Sequence, residues 1–175
     1  SMNYFNKIPL ITSIVIFHMI PILIYKKFNL NFNYKYDLGL FFIITLSLTL
    51  IIKNFNYDIN LSGGGIILHA SNYLLGNNIL LFIFYPVSMY FLIKTSIFKN
   101  YNNLILILIL LMMTPQYHIF HKYYDPLVII LCFTIFNLEI KTDFFQKNRY
   151  LFILYSFYIF YYFVHYINYL IETNA

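Results

Sequence analysis

The sequence predicts an all-α membrane protein, a polytopic transmembrane helix bundle of about six spans with one further interfacial or re-entrant helix. Three observations predict it. The chain is 61% hydrophobic and only 10% charged, with a mean hydropathy of +0.71, whereas soluble domains are about 45–50% apolar and about 25% charged. Apolar runs recur at lengths that approach the roughly 17–25 residues a helix needs to cross the hydrocarbon. The cationic residues fall between those runs, singly or in pairs, as topology signals do.

The first span is expected over about Ile8–Tyr25. It ends in Tyr25-Lys26-Lys27 rather than at a small-residue cleavage site, so it reads as a retained anchor and not a signal peptide. The chain begins Ser-Met, so either Ser1 is an appended residue or the sequence is cut from a longer protein. Span two is expected over about Leu38–Ile52, span three over Ile79–Ile93, span four over Leu104–Ile119, span five over Pro126–Leu138 and span six over Tyr150–Ile171. Spans two, three and five are short and need flanking Tyr, Asn or Lys to reach the interface. Pro9 and Pro126 suit helix starts. Pro21, Pro86 and Pro115 should kink or end their helices. With no internal repeat and no soluble segment, residues 1–175 read as a single integral membrane domain, complete or a fragment.

Charge fixes the expected orientation. With the N-terminus outside, the inner loops hold Lys26, Lys27, Lys35, Lys94, Lys99, Lys141, Lys147 and Arg149, while the outer segments hold only Lys7, Lys53 and Lys122. That is a positive-inside bias, and it puts both termini on the non-cytoplasmic side. Making Gly65–Asn78 a seventh span would spoil it. That segment is short and carries His69, Ser71 and Asn72, so it is expected to lie at the outer interface or re-enter from it.

Some function classes are set aside at once. Dispersed cations do not make a nucleic-acid footprint, despite the net charge of +5. Cys132 is the only cysteine, which excludes a disulfide framework or Cys-rich metal site. The abundant Ile, Asn, Lys, Phe and Tyr all have AT-rich codons, so a single Tyr or Asn carries little weight.

Two polar segments break the apolar pattern, and the expected topology puts both on the outer face. One is "TPQYHIFHKYYDPL", Thr114–Leu127. His118 and His121 are spaced to share a helical face, and imidazoles move protons near neutral pH. Lys122 can hold a phosphate or pyrophosphate head group, and has the spacing to pair with Asp125. Tyr123 and Tyr124 can stack on a sugar or anchor at head-group level. Gln116 adds a further polar contact. The competing reading is a wet loop of interfacial anchors. A zinc site is poorly supported, because two His and one Asp lack the spacing of a zinc enzyme.

The other segment is "NYDINLSGGG", Asn56–Gly65. Its glycines suit either a hinge or an anion-binding nest, and no Gly-Lys-Ser/Thr follows to make a P-loop. Asp58 is a candidate base, or a holder of a divalent cation near a phosphate. The expected site therefore has Asp58, His118 and His121 as catalytic candidates, and Gln116, Lys122, Tyr123, Tyr124, Asp125 and His69 as substrate-binding candidates. Elsewhere, His18 is expected to face another helix and bond a carbonyl freed by Pro21. His165, Asn168 and Glu172 form a polar stripe on span six that suits either the site or helix packing. Asn137 and Glu139 are expected to meet water at the inner end of span five.

The few charges, the outer-face site and "HKYYDPL" before an apolar helix resemble the later part of GT-C membrane glycosyltransferases. The dolichyl-phosphate-glucose-dependent glucosyltransferases of that class carry a basic-aromatic-proline step of this kind, matched here by Lys122, Tyr123, Tyr124 and Pro126 over about a dozen residues. Lys stands where the family has Arg, and the spacing to Pro is one residue shorter. The resemblance implies a polyprenyl-phosphate-linked sugar donor, an acceptor on the outer face and inversion at the sugar. It also implies eight or more spans and an acidic residue in an early outer loop, so this chain would be a C-terminal portion, with Asp58 the one local substitute. The rival expectations are a transporter or flippase half for a lipid-linked sugar and a non-catalytic membrane subunit. Transporters place polar groups at mid-membrane, where this sequence offers only His18.

Overall fold

The computed structural model describes residues 3–25, 33–57, 64–94, 100–112, 121–135 and 146–174, without the side chains of 25, 121–123, 165 and 168–174. The described residues are helical and contain no strand. In order, the helices are α1 (Tyr4–Tyr25), α2 (Tyr34–Asn54), α3 (Ile66–Leu75), α4 (Ile79–Lys94), α5 (Tyr101–Met112), α6 (His121–Ile130, continued by a wide π turn over Leu131–Ile135) and α7 (Asn148–Asn174). Two of them, α1 and α2, are long and apolar enough to cross a membrane. Four others are apolar but shorter: α3, α4, α5 and the Tyr124–Ile135 stretch.

The chain divides into two compact units. One comprises Ser1–Met19 and Leu30–Leu138, and the other Ile20–Asn29 and Glu139–Ala175. In the first, α1 is the core helix. Leu10, Ile11, Ile14, Val15, Ile16 and Met19 are buried on more than one of its faces, as expected of a helix that is apolar all round. The most apolar stretch of α1 is 72% buried, against 17% for α2. Accordingly α2 buries only Asp37, Ile44 and Ile51, one narrow stripe at seven-residue spacing. It leaves Phe41, Phe42, Ile43, Leu46 and Leu50 exposed, a surface suited to lipid.

The α2 stripe faces α4, which buries Leu81, Tyr85, Ser88 and Leu92 at alternating four- and three-residue steps, a coiled-coil-like seam. The two helices are antiparallel. Asp37 at the start of α2 meets Lys94 at the end of α4. At mid-length the Ser47 and Tyr85 hydroxyls stand 3.1 Å apart. Just beyond α2, the Phe55 ring packs edge-on against Phe82 near the start of α4. Pro86 lies inside α4, and Pro9 and Pro21 lie inside α1. Of the kink or end expected at Pro21 and Pro86, the end does not occur: both helices continue through the proline.

An asparagine cluster ties α1 to the far end of α2. Asn3 Nδ2 donates to Asn54 O at 3.0 Å and to Asn56 Oδ1 at 2.8 Å. Asn6 Nδ2 donates to the same Oδ1 at 2.9 Å, and Asn56 N donates to Asn6 Oδ1 at 3.0 Å. These amides satisfy backbone and side-chain groups where the helices end.

Between α2 and α4 the chain makes a short hairpin. Gly76 caps α3 with φ +65°, its N–H donating to Asn72 O. Ser71 Oγ donates to Asn77 O and accepts from Leu80 N, so one buried hydroxyl fixes the turn. Asn77 Oδ1 accepts from Ile79 N to start α4. The 10 residues of α3 rise about 15 Å, roughly half of a bilayer core. In the second unit, α7 is 27 residues long and exposes Phe152, Tyr155, Phe160, Tyr162, Phe163 and Tyr166.

Candidate functional site

A narrow crevice opens where three helices of the first unit meet. It is lined by Ser13, Ile14, Phe17 and His18 of α1, Ile66 and Ile67 at the start of α3, and Asp125 of α6. His18 Nε2 and Asp125 Oδ1 stand 3.5 Å apart. The imidazole is 1% exposed and the carboxylate 12%, so the pair is enclosed but Asp125 reaches the crevice. Charged groups withdrawn from water are retained where they meet a partner.

Local structure explains how each reaches this point. His18 follows Phe17, whose ring stands edge-on to the imidazole. Ser13 spends its hydroxyl within α1, donating to Leu10 O at 2.7 Å. On α6, Tyr124, Asp125, Val128, Leu131 and Cys132 are all buried and form the inward face. Tyr124 Oη donates to Leu110 O of α5 at 3.4 Å, which sets the rotation of α6. Pro126 denies Lys122 O its helical donor. Further on, α6 widens into the π turn, where Thr134 Oγ1 donates to Ile130 O at 2.6 Å.

Gly64 and Gly65 lead into α3 at φ +97° and +90°. A Cβ on Gly64 would run into the Leu68 side chain and lie 2.9 Å from the Tyr57 ring. This glycine is therefore required by close packing and backbone conformation.

Several expectations change. His121–Leu127 is not loop, because helix α6 begins at His121 and passes through Pro126 instead of starting there. His18 does face another helix, but its partner is the Asp125 carboxylate rather than a carbonyl freed by Pro21. Asp125, expected in a wet loop beside Lys122, is turned inward, because α6 spends that face on α1 and α5. The side chains of His121, Lys122 and Tyr123 lie outside the described residues, as do Asp58, Gln116 and His118. So do the side chains of His165, Asn168 and Glu172, and residues Asn137 and Glu139. His69 is on the exposed side of α3 and does not line the crevice. Asp125, within the second polar segment, lines the crevice together with Ile66 and Ile67, which follow the first in sequence. Among the described residues no three His, Cys, Asp or Glu gather to hold a metal ion.

A second constellation, not foreseen from sequence, closes the other end of α2 and α4. Asp37 is 2% exposed. Its Oδ2 accepts from Asn33 N at 2.8 Å and its Oδ1 pairs with Lys94 Nζ. The ammonium also lies 5.6 Å from the Tyr36 ring centre and 5.7 Å from that of Tyr90, a cation–π arrangement. Lys94 stands just past the apolar run 79–93, and the hydrogen bond to Asp37 holds its ammonium above the ordinary lysine range. The signal in the sequence was an acid, Asp37, at the start of one apolar run and a base, Lys94, at the end of the next.

No protein-family model, curated protein or solved structure matches the chain.

Proposed function

We propose that the chain is all or the C-terminal part of a multi-pass membrane glycosyltransferase that takes a sugar from a polyprenyl-phosphate donor on the non-cytoplasmic face. In this reading both termini lie on that face, with α1, α2, α4, α5, α6 and α7 as its spans. One observation carries most of the weight. The helix that holds the basic-aromatic stretch, His121–Pro126, also delivers Asp125 to a crevice shared with α1 and the start of α3. Motif and buried ionisable pair thus lie within one turn of each other.

The chemistry follows from residue types. A base takes the acceptor's hydroxyl proton, the oxygen attacks the anomeric carbon, and the sugar–phosphate bond breaks to release polyprenyl phosphate. Asp58, His118 and His121 are the proposed proton-handling groups. Lys122 is proposed to meet the negative charge on the leaving phosphate. Tyr123 is the proposed sugar platform; Tyr124, the other aromatic of the stretch, is buried with its hydroxyl donated to Leu110 O of α5.

The test uses the full chain in proteoliposomes with a labelled polyprenyl-phosphate hexose. Lys122→Ala should abolish donor binding or sugar transfer while membrane insertion stays intact. Unchanged binding and transfer would reduce the stretch to an interfacial anchor. A second reading, a transporter half for the same lipid-linked sugar, gains from the His18–Asp125 pair, since transporters keep ionisable groups inside their helices. Movement of intact donor across the bilayer without sugar transfer would favour it.

A further inference from the structure

We propose that α7 pairs with the α7 of a second copy of this chain, through an aromatic seam whose tyrosine hydroxyls bond across the contact. The seam is Phe152, Tyr155, Ile159, Tyr162 and Tyr166, at alternating three- and four-residue steps, and Tyr169 continues it in the sequence. Phe152, Tyr155, Ile159, Tyr162 and Tyr166 are all exposed. A seven-residue repeat of this kind keeps one stripe of a helix facing a partner helix over several turns. It sets Phe152, Ile159 and Tyr166 at one knob position and Tyr155, Tyr162 and Tyr169 at the other. An open groove runs along the same stripe, with Tyr158 and Phe163 at its borders. That is a shape able to receive the knobs of a facing helix.

Depth decides what covers this seam. Tyr162 lies near the middle of α7, about 21 Å along the helix from Asn148 and about 18 Å from Asn174. It is 71% exposed, so its hydroxyl meets whatever surrounds the helix. In a hydrocarbon core about 30 Å thick, a tyrosine at that depth is too short to lift its hydroxyl to the head groups. Lipid tails offer a hydroxyl no partner. A second copy does. A phenol both donates and accepts, so a row of phenols is complementary to itself. Two copies inserted the same way bring identical rows to the same depth, as a two-fold contact requires. Tyrosine is abundant along the whole chain, so its placement carries more weight here than its identity. The pairing requires α7 to cross the membrane, as in the proposed topology, and does not require sugar transfer.

The test uses the full chain in phosphatidylcholine vesicles, with Cys132→Ala and one new cysteine. Ile159→Cys lies on the seam, and Val164→Cys lies on the far side of α7, where it is also exposed. Copper-phenanthroline oxidation should link Ile159→Cys chains into dimers at least about tenfold faster than Val164→Cys chains. Adding Tyr155→Phe and Tyr162→Phe to the Ile159→Cys chain removes two hydroxyls and no ring. Association should then weaken roughly three- to thirtyfold, read as the protein-to-lipid ratio needed for half-maximal cross-linking. Equal rates at residues 159 and 164 overturn the proposal, and so does association that the two phenylalanines leave unchanged. Impermeant labelling of cysteines at Phe145 and Ala175 separates the two ways of failing. Labelling from the same side removes α7 as a span and the seam with it. Labelling from opposite sides with equal cross-linking removes the seam alone and leaves the transferase reading standing.

Discussion

The Asp37 carboxylate and the Lys94 ammonium meet at 2.5 Å, joining the first turn of α2 to the last turn of α4. The two partners are not equivalent. Asp37 has 1% of its side chain exposed and Lys94 16%. Without Asp37 the ammonium can swing to water on its flexible stem. Without Lys94 the carboxylate stays enclosed. Lys94→Met should therefore lower the thermal midpoint more than Asp37→Asn, by about 5 °C or more against about 2 °C. Comparable drops would mean that the pair is solvated at both ends. The folded Lys94 ammonium titrates above its ordinary range. Its contribution is then full below that range and is lost only as pH rises through the raised value.

Two glycines should respond to alanine with opposite signs. Gly64 has φ +97°, and its added Cβ would meet Leu68 and Tyr57. Gly64→Ala should cost roughly 2–5 kcal/mol, from backbone strain and overpacking together. Gly39 lies inside α2 with nothing within 4 Å of an added Cβ. Gly39→Ala should gain about 0.5–1 kcal/mol. Denaturant titration of the two variants side by side gives both signs, and a loss at Gly39 would reveal a close neighbour at that face.

Orientation is open to labelling. In a Cys132→Ala background, single cysteines at Asn56, Tyr117 and Ala175 should label from outside, and one at Phe145 only from inside. Tags at Asn56 and Asn78 should report the same side, because α3 is too short to cross. Outside labelling at Phe145 would reverse the orientation, and opposite sides at Asn56 and Asn78 would separate the two polar segments.

Hydropathy located the helices well, and the reason is physical. The apolar runs expected over Ile8–Tyr25 and Leu38–Ile52 became α1 and α2, α1 starting four residues earlier at Tyr4 and α2 extended at both ends to Tyr34 and Asn54. Long-range pairing was not legible in the same way. His18 and Asp125 were each read against sequence neighbours, Pro21 and Lys122. Periodicity gives the face a residue occupies but not which helix covers it. Taking Pro126 as a helix start also hid Asp125. It was placed in the loop before the helix, although Asp125, Val128 and Cys132 already traced one face at three- and four-residue steps. Asp37 was hidden for the same reason, one residue outside the expected span two.

The enclosure of α1 shapes how the protein must be made. This helix carries Asn6, Lys7, Ser13 and His18, all buried in the finished fold. The ribosome releases it before α2, and roughly a hundred residues before α6 brings Asp125. Until those helices emerge its polar groups have no helical neighbours to cover them. A helix with such a complement of amide, ammonium and imidazole is a poor guest in hydrocarbon by itself. Its integration is expected to wait at the insertion machinery until α2 arrives with Asn54 and Asn56. Final burial of His18 then comes late, when α6 emerges, so truncation before residue 121 should leave α1 exposed to quality-control proteolysis.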